Sequence, residues 1–151
     1  IARSADPPMT SLSSSVRELV RQRAHGCCEY CGKPEIHSSF PFHVDHIHSL
    51  KHSGSSEPDN LAWSCFQCNT AKGPNIASID AATGQLTLLF HPRQQRWSDH
   101  FRFEGGQIVG LTAEGRVTVQ VLRMNEPEEA ELRERHIRKG RWGSTPSGTN
   151  S

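Results

Sequence analysis

The sequence lacks a long apolar run, an excess of one charge and an internal repeat, and these absences narrow the class of protein. Without a run of about 18 apolar residues no transmembrane helix is predicted, and the N-terminal residues lack the apolar segment of a signal peptide. We therefore expect a soluble, cytoplasmic protein with no membrane partner. With 17 Lys+Arg against 16 Asp+Glu, the charge balance neither favours nor excludes nucleic acid as a partner.

Apolar residues are also scarce. They make up 34% of the 151 residues, so the core of a single domain will be modest, and a structural metal or a partner would add stability. The two ends have no periodic pattern, which predicts disordered tails. The predicted order is a tail, a core, a C-terminal extension of strands and helices that packs on the core, and a second tail, at residues 1–11, 12–80, 81–139 and 140–151.

Apolar spacing and turn residues predict the elements of the core. Ser15 and Glu18 fit a capping box, so a helix is expected to begin at Ser15 and to end near Gly26. A tight turn, CCEYCGKP, follows it. The centre of the chain is then predicted as a strand, a polar loop and a turn that enters a helix, at residues 41–50, 51–60 and 61–73.

The C-terminal extension is predicted to contain two short strand segments and two helices. The strands are expected at residues 82–92 and 101–111, the second with a hinge at Gly105-Gly106. Residues 112–124 suit either a strand or a helix begun at Thr112, and we favour the helix. Residues 126–140 begin with acids and end with bases, the charge order that a helix dipole prefers.

Five cysteines are present, and four of them form two Cys-x-x-Cys pairs: Cys28 with Cys31, and Cys65 with Cys68. Each pair can offer two thiolates to one tetrahedral Zn²⁺, so the sequence predicts a four-sulfur zinc site. Such a site has no open coordination position, and its zinc would therefore be structural. Two disulfides or four ordinary buried thiols are the alternative, and Cys27 is left over.

The segment FHVDHIHSL contains three histidines and an aspartate, which a folding argument alone does not explain. On a strand, the side chains of Asp45 and His46 point to opposite faces, but a local bend could bring both side chains to the same site. Mg²⁺ often binds one or two protein oxygens and keeps its waters, so Asp45 could supply a carboxylate and one amide the second oxygen. Asn60 and Asn69 are the candidates; Asn69 is favoured because it follows Cys68.

Adjacent to that metal ligand, His46 could take a proton from a water molecule, since neutral imidazole titrates near physiological pH. His43 is expected to orient or pack, and His48 and His52 are either supporting residues or plain surface residues. Three arginines near Trp97 could contact a phosphate or lie on an ordinary surface: Arg93, Arg96 and Arg102.

Three blocks, CEYCG, FHVDHIHSLKHSG and DNLAWSCFQCNTAKG, resemble the HNH endonucleases of the ββα-metal, or His-Me finger, superfamily. The resemblance is close from Cys28 to about Pro74. It implies an α+β fold: a small ββα-metal finger stabilised by a four-cysteine zinc site, with an N-terminal helix and a C-terminal strand and helix extension. By this resemblance residues 12–80 are a nuclease core.

The resemblance also implies roles for individual residues. His46 would be the general base, and Asp45 and Asn69 the ligands of a catalytic divalent metal. The Asn60 side chain would form hydrogen bonds with the backbone across the turn between the two strands and so hold the histidine strand in place. The family often has histidine at the position of Asn69, and the harder amide oxygen favours Mg²⁺ or Mn²⁺. Lys72 is expected either to approach a substrate phosphate from the start of its helix or to be a solvated surface lysine.

The predicted function is hydrolysis of nucleic-acid phosphodiesters, with DNA favoured over RNA and a homodimer or larger complex as a possible assembly. Two other interpretations remain. A zinc-bridged module could bind nucleic acid or protein without cutting, although a pure binder does not need a base beside two oxygen ligands. A secreted disulfide protein would require a signal sequence, which is not seen.

Overall fold

The structure is a computed structural model that describes residues 12–143. The tail predicted at residues 1–11, and residues 144–151 of the tail predicted at 140–151, lie outside the described residues. In chain order the helices and strands are α1 (Ser14–Arg23), β1 (His43–His46), β2 (Leu61–Ser64), α2 (Phe66–Lys72), β3 (Ala77–Ile79), β4 (Leu86–Leu88), α3 (Trp97–His100), β5 (Phe101–Glu104), β6 (Gln107–Gly110), α4 (Ala113–Val121) and α5 (Pro127–Arg138). The fold is therefore α+β, with helices and small antiparallel pairs of strands.

The centre of the fold is an antiparallel pair, β1 with β2, followed directly by α2. In this register Asp45 lies opposite Ala62 and His46 opposite Leu61. The prediction of a turn at residues 61–64 is wrong, because these residues form β2. All four are buried, so the apolar alternation that identifies a half-exposed strand is missing.

The N-terminal helix is confirmed, but its cap is not the predicted one. The hydroxyl of Ser13, not Ser15, accepts the first hydrogen bond, from the Val16 N–H at 3.2 Å. Past its last turn the chain leaves the helix through two residues in the left-handed region, His25 and Gly26. The helix buries Val20 and packs against β2.

In the C-terminal half, residues 112–124 contain the helix that we favoured. Thr112 caps α4 by accepting from the Gly115 N–H at 3.1 Å. The predicted hinge is the tight turn between β5 and β6. A Cβ on Gly106 would lie 2.1 Å from the Ala130 carbonyl oxygen, so this glycine allows α5 to approach the hairpin. The predicted domain boundary at residue 80 falls inside the β3–β4 hairpin.

One hydrophobic core joins the two halves. Trp97 of α3 is buried against Phe101 and Phe103, and its indole N–H donates to the Tyr30 carbonyl oxygen at 2.8 Å. The buried guanidinium of Arg133 in α5 donates to backbone oxygens of the C-terminal half. The extension therefore packs directly on the segment that carries the first cysteine pair. None of the helices in residues 12–143 is long and apolar enough to cross a membrane.

Residues 140–143, predicted as the start of a disordered tail, also contact the core. The Trp142 indole N–H donates to the Cys31 carbonyl oxygen at 3.0 Å. The His37 ring nitrogen and the Arg141 carbonyl oxygen are also 3.0 Å apart. The predicted tail therefore begins too early, because one tryptophan is enough to fix a segment that is otherwise rich in small polar residues.

Candidate zinc centre and active site

The four paired cysteines meet in one buried cluster, and their sulfur atoms all lie within 4.8 Å of one another: Cys28, Cys31, Cys65 and Cys68. None is in a disulfide. The sulfurs of Cys31 and Cys65 are 3.8 Å apart. A regular tetrahedron with Zn–S bonds of about 2.3 Å has S···S edges of about 3.8 Å, so the cluster fits a structural zinc ion.

Backbone N–H groups support the same assignment. The Cys28 sulfur accepts from the N–H groups of Tyr30 and Cys31 at 3.4 and 3.5 Å, and the Cys65 sulfur accepts from that of Cys68 at 3.4 Å. Burial raises the pKa of Cys28, but hydrogen bonds from the neighbouring thiols outweigh it and lower that pKa well below its usual value. Hydrogen bonds with Cys28 and Cys31 raise the pKa of Cys65 and that of Cys68 well above the usual value, so the metal-free cluster favours thiolate at Cys28.

Beside the zinc centre a cavity of about 520 Å³ contains the side chains predicted for catalysis. Asp45 and His46 reach it from β1, and Asn69 reaches it from α2. The remaining lining residues come from α1, from β1 and from the turns that follow β1 and α2: Leu12, Arg17, His43, Val44, Ser49, Leu50, Lys51, Gly73 and Pro74. The structure thus brings the three predicted residues together, although two of them are neighbours on one strand.

His46 has the surroundings of a base. One ring nitrogen, Nε2, lies 3.0 Å from the Ser56 hydroxyl. The other, Nδ1, is buried and has no hydrogen-bond partner among residues 12–143. Burial, with a smaller effect from the Lys72 charge, lowers the pKa of His46 below its usual value. The lowered pKa favours the neutral imidazole at physiological pH, and one of its nitrogens is left without a hydrogen-bond partner among the described residues.

Asp45 is 5% exposed and already has two partners. The Tyr30 hydroxyl donates to Oδ2 at 2.7 Å, and the Lys72 ammonium lies 3.2 Å from Oδ2 and 3.3 Å from Oδ1. Burial raises the pKa of Asp45, while the Lys72 charge and the two hydrogen bonds offset part of that rise. Oδ1 is the oxygen with fewer protein partners, and is the better placed of the two to bind a cation.

Lys72 is not where the sequence analysis expected it. It is the last residue of α2, which begins at Phe66, and its side chain is 1% exposed. The ammonium donates to the carbonyl oxygens of His46 and Ile47 at 3.1 Å and pairs with Asp45. The prediction that Lys72 approaches a phosphate from the start of the helix is therefore wrong, because the short helix buries the lysine against β1.

Asn60 is the last residue of the loop between β1 and β2. Its side chain forms hydrogen bonds with backbone groups on the opposite side of that loop. Its amide oxygen accepts from the His48 N–H at 2.9 Å, and its amide nitrogen donates to the carbonyl oxygens of His48 and Ser55 at 2.9 and 2.7 Å. Asn60 does not line the cavity. Of the two candidate asparagines, only Asn69 lines the cavity.

The other histidines and arginines of interest have structural contacts. The His48 ring nitrogen lies 2.8 Å from the His52 carbonyl oxygen. Arg93 is bonded to Glu29 and to the Leu61 carbonyl oxygen, and exposed Arg102 pairs with Glu104. None of these residues lines the cavity, whereas His43 does.

Sequence reasoning missed Tyr30, Ser56 and Arg17. Tyr30 is the only tyrosine and lies inside the first cysteine pair, a position that could have drawn attention to it. Ser56 lies in a polar loop with several serines, and nothing in the sequence distinguishes it from them. Arg17 is one of several charged residues on an amphipathic helix, so only the fold shows that it reaches the cavity.

An antiparallel pair of strands, a following helix and a four-cysteine cluster define a zinc-bridged ββα finger. Residues 28–75, about a third of the chain, match the family model described as HNH endonuclease. The chain is also similar to Septu protein PtuA of Bacillus mycoides (strain KBAB4), with 34% identity over 103 residues. The match covers 61% of this chain and 14% of that relative, so the chain spans a small part of the relative's length.

Proposed function

We propose that the domain is a metal-dependent endonuclease that hydrolyses phosphodiester bonds of nucleic acid. One observation carries the proposal: Asp45, His46 and Asn69 converge on one cavity beside a zinc centre that fixes α2. The match of residues 28–75 to the HNH endonuclease family model supports nucleic acid as the class of substrate. DNA is proposed over RNA, and the experiment below includes both.

His46 is proposed as the general base. Its Nδ1 would accept the proton of the attacking water, because the ring is neutral and that atom has no other hydrogen-bond partner among the described residues. Nε2 lies next to the Ser56 hydroxyl, which keeps the ring in one orientation. Because Nδ1 is buried, the ring or the groups that cover it would have to shift before the attacking water reaches that nitrogen.

Asp45 and Asn69 are proposed to bind a Mg²⁺ or Mn²⁺ ion. A carboxylate and an amide oxygen in one cavity are hard donors of the kind these ions prefer, and the few protein ligands leave positions for water and substrate. When bound, the ion would supply positive charge to the phosphate and to the departing 3′ oxygen. The protein's part is to fix the carboxylate, which Tyr30 and Lys72 do through hydrogen bonds.

A second function, binding without cutting, is favoured by one observation. The Asp45 carboxylate is already paired with a buried ammonium, as expected of a structural ion pair. In this alternative the cavity would receive a phosphate group and Asp45 would hold Lys72 in place. The two functions differ in what they require of His46.

The decisive experiment uses zinc-loaded protein from which other metals have been removed. We expect supercoiled plasmid to be cut when Mg²⁺ or Mn²⁺ is added, and His46→Ala to abolish cutting while retaining zinc by mass spectrometry. His52→Ala is the matched control, because this exposed histidine lies in the loop that follows β1 but lines no part of the cavity. Cutting that survives in His46→Ala would contradict the proposed base.

Binding probes separate the two functions. If neither the parent nor His46→Ala cuts, but both shift labelled DNA or RNA, the binding function replaces the nuclease. An RNA substrate cut faster than plasmid would reverse the proposed preference for DNA. Assembly is measured on the same preparation by sedimentation, since a near-neutral chain has weak phosphate-driven affinity and a homodimer would double its contacts.

A further inference from the structure

We propose that Arg17 and Lys51 bind phosphates of the nucleic-acid strand at the catalytic cavity, the role that sequence reasoning had considered for Lys72. This inference rests on the proposed function, because it assumes that a nucleic-acid strand enters the cavity. Both residues line the cavity, and they come from different elements: Arg17 from α1 and Lys51 from the turn that follows β1.

Charge at the cavity favours an anion. Asp45 is the only acidic residue among the described residues that line it, and the buried Lys72 already pairs with that carboxylate. Arg17 and Lys51 are exposed, and no carboxylate within residues 12–143 forms an ion pair with either. Two cations therefore remain uncompensated beside the proposed base, where a phosphodiester would have to lie.

Arg17 is held by a fixed aromatic ring. Its guanidinium carbon lies 5.3 Å from the centroid of the Trp63 ring, within range of a cation–π contact. Trp63 is itself fixed, since its indole N–H donates to Glu35 at 2.7 Å and its backbone N–H donates to Glu29 at 2.9 Å. A stacked guanidinium keeps its N–H edge available, so this arrangement restricts Arg17 and still allows it to bind phosphate.

Lys51 belongs to a tightly fixed turn. The Gly54 N–H and the Ser49 carbonyl oxygen are 2.9 Å apart, and the Ser49 hydroxyl donates to the Pro74 carbonyl oxygen at 2.9 Å. A Cβ on Gly54 would lie 1.7 Å from the His48 carbonyl oxygen, so the turn needs glycine there. The backbone that carries Lys51 is therefore positioned before any strand arrives, and only the lysine side chain has to be ordered on binding.

Salt dependence of binding tests the proposal directly. The measurement is fluorescence anisotropy of labelled single-stranded and duplex DNA, with zinc-loaded His46→Ala protein and no added Mg²⁺, over a range of salt concentrations. The slope of log K against log[salt] is negative. Each lost phosphate contact reduces its magnitude by about 0.9 for duplex DNA and by about 0.7 for a single strand. We expect this reduction for Arg17→Gln and for Lys51→Gln, and about twice the reduction in the double variant.

Two controls separate a phosphate contact from a general effect. Arg96→Gln removes the same charge from an exposed site that does not line the cavity, and should leave the slope nearly unchanged. Arg17→Lys keeps the charge and should restore the slope, which a purely structural role against Trp63 would not do.

The proposal is overturned if Arg17→Gln and Lys51→Gln change the slope no more than Arg96→Gln does, or if binding shows no salt dependence. Neither result would bear on the proposed nuclease activity, because plasmid cutting by the parent and its loss in His46→Ala are measured separately. If the parent does not cut plasmid, but Arg17→Gln and Lys51→Gln still reduce the salt-dependence slope as expected, the result favours the binding function at this same cavity.

Discussion

The zinc centre and the cavity that contains Asp45, His46 and Asn69 are neighbours on one short finger, yet their chemistry is opposite. At the zinc centre four buried sulfurs lie at tetrahedral spacing, and backbone N–H groups support them. In the cavity one imidazole nitrogen has no partner among the described residues, and burial raises the pKa of a carboxylate. The first region is arranged for stability, whereas the second keeps groups in states that folding alone would not favour.

This contrast predicts that the largest effect on stability comes from the zinc centre. Cys68→Ser should prevent zinc binding and abolish the cooperative thermal unfolding transition, because apparent binding free energies of structural zinc in small fingers reach about 10 kcal/mol. Circular dichroism during heating, with zinc content by mass spectrometry, measures this effect. Cys27→Ser is the control, since this fifth cysteine lies outside the cluster, and an equal loss in it would contradict the assignment.

The buried ion pair next to the cavity should give the second-largest effect. Lys72→Met leaves the Asp45 carboxylate and two backbone carbonyl oxygens without their ammonium partner, and we expect a loss of about 3 kcal/mol in the free energy of unfolding. Urea denaturation measures this loss. Adding Asp45→Asn should recover part of it, because the uncompensated charge is then removed. A double variant as unstable as the sum of both changes would show that the pair is not coupled.

Tyr30→Phe sharpens the comparison, because Tyr30 belongs to both regions. The change keeps the ring in the core and removes the hydrogen bond to Asp45, so we expect a loss of about 1–2 kcal/mol of stability. We also expect about tenfold weaker Mn²⁺ binding with zinc retained, since partners of metal ligands orient them. Paramagnetic resonance titration measures the affinity. Thr118→Val, which removes a buried hydroxyl from α4, should lower stability without changing Mn²⁺ affinity.

The smallest effect is expected far from both regions, at the ion pair between Asp80 and Arg116. Hydrogen bonds from Arg116 hold the pKa of Asp80 well below its usual value. A lowered carboxyl pKa in the folded state means that this stabilisation is complete above about pH 4 and is lost as the pH falls further. Asp80→Asn should therefore flatten the decline of the urea midpoint as the pH falls from about 4 to about 2. The exposed Asp99→Asn should leave that decline unchanged.

Residues that are close in sequence account for most of what could be predicted. The cysteine knuckles, the histidine strand and the capped helix at Thr112 depend on local spacing or local hydrogen bonds, and these were recognised. Strand β2 was missed because all of its residues are buried and give no alternation. The burial of Lys72 was missed because it depends on the length of α2, which ends at Lys72. No pattern in CNTAKG indicates where this helix ends.

The contacts of Tyr30 and Arg17 could not be predicted for a related reason. Each reaches the site across a gap in the sequence, Tyr30 to Asp45 and Arg17 to Trp63, and only the packed finger defines those distances. Sequence reasoning therefore predicted residues that meet in the cavity better than it predicted the interactions that support them.

The contact between Trp142 and Cys31 has a consequence for the order of events during synthesis. The two residues are 111 positions apart, so the first cysteine knuckle emerges from the ribosome long before the indole that covers its backbone. The knuckle can meet its second cysteine pair and a metal ion earlier, when the chain has passed Cys68. The finger would thus assemble first and receive its C-terminal cover last, leaving an interval in which the knuckle backbone is accessible to water and to chaperones.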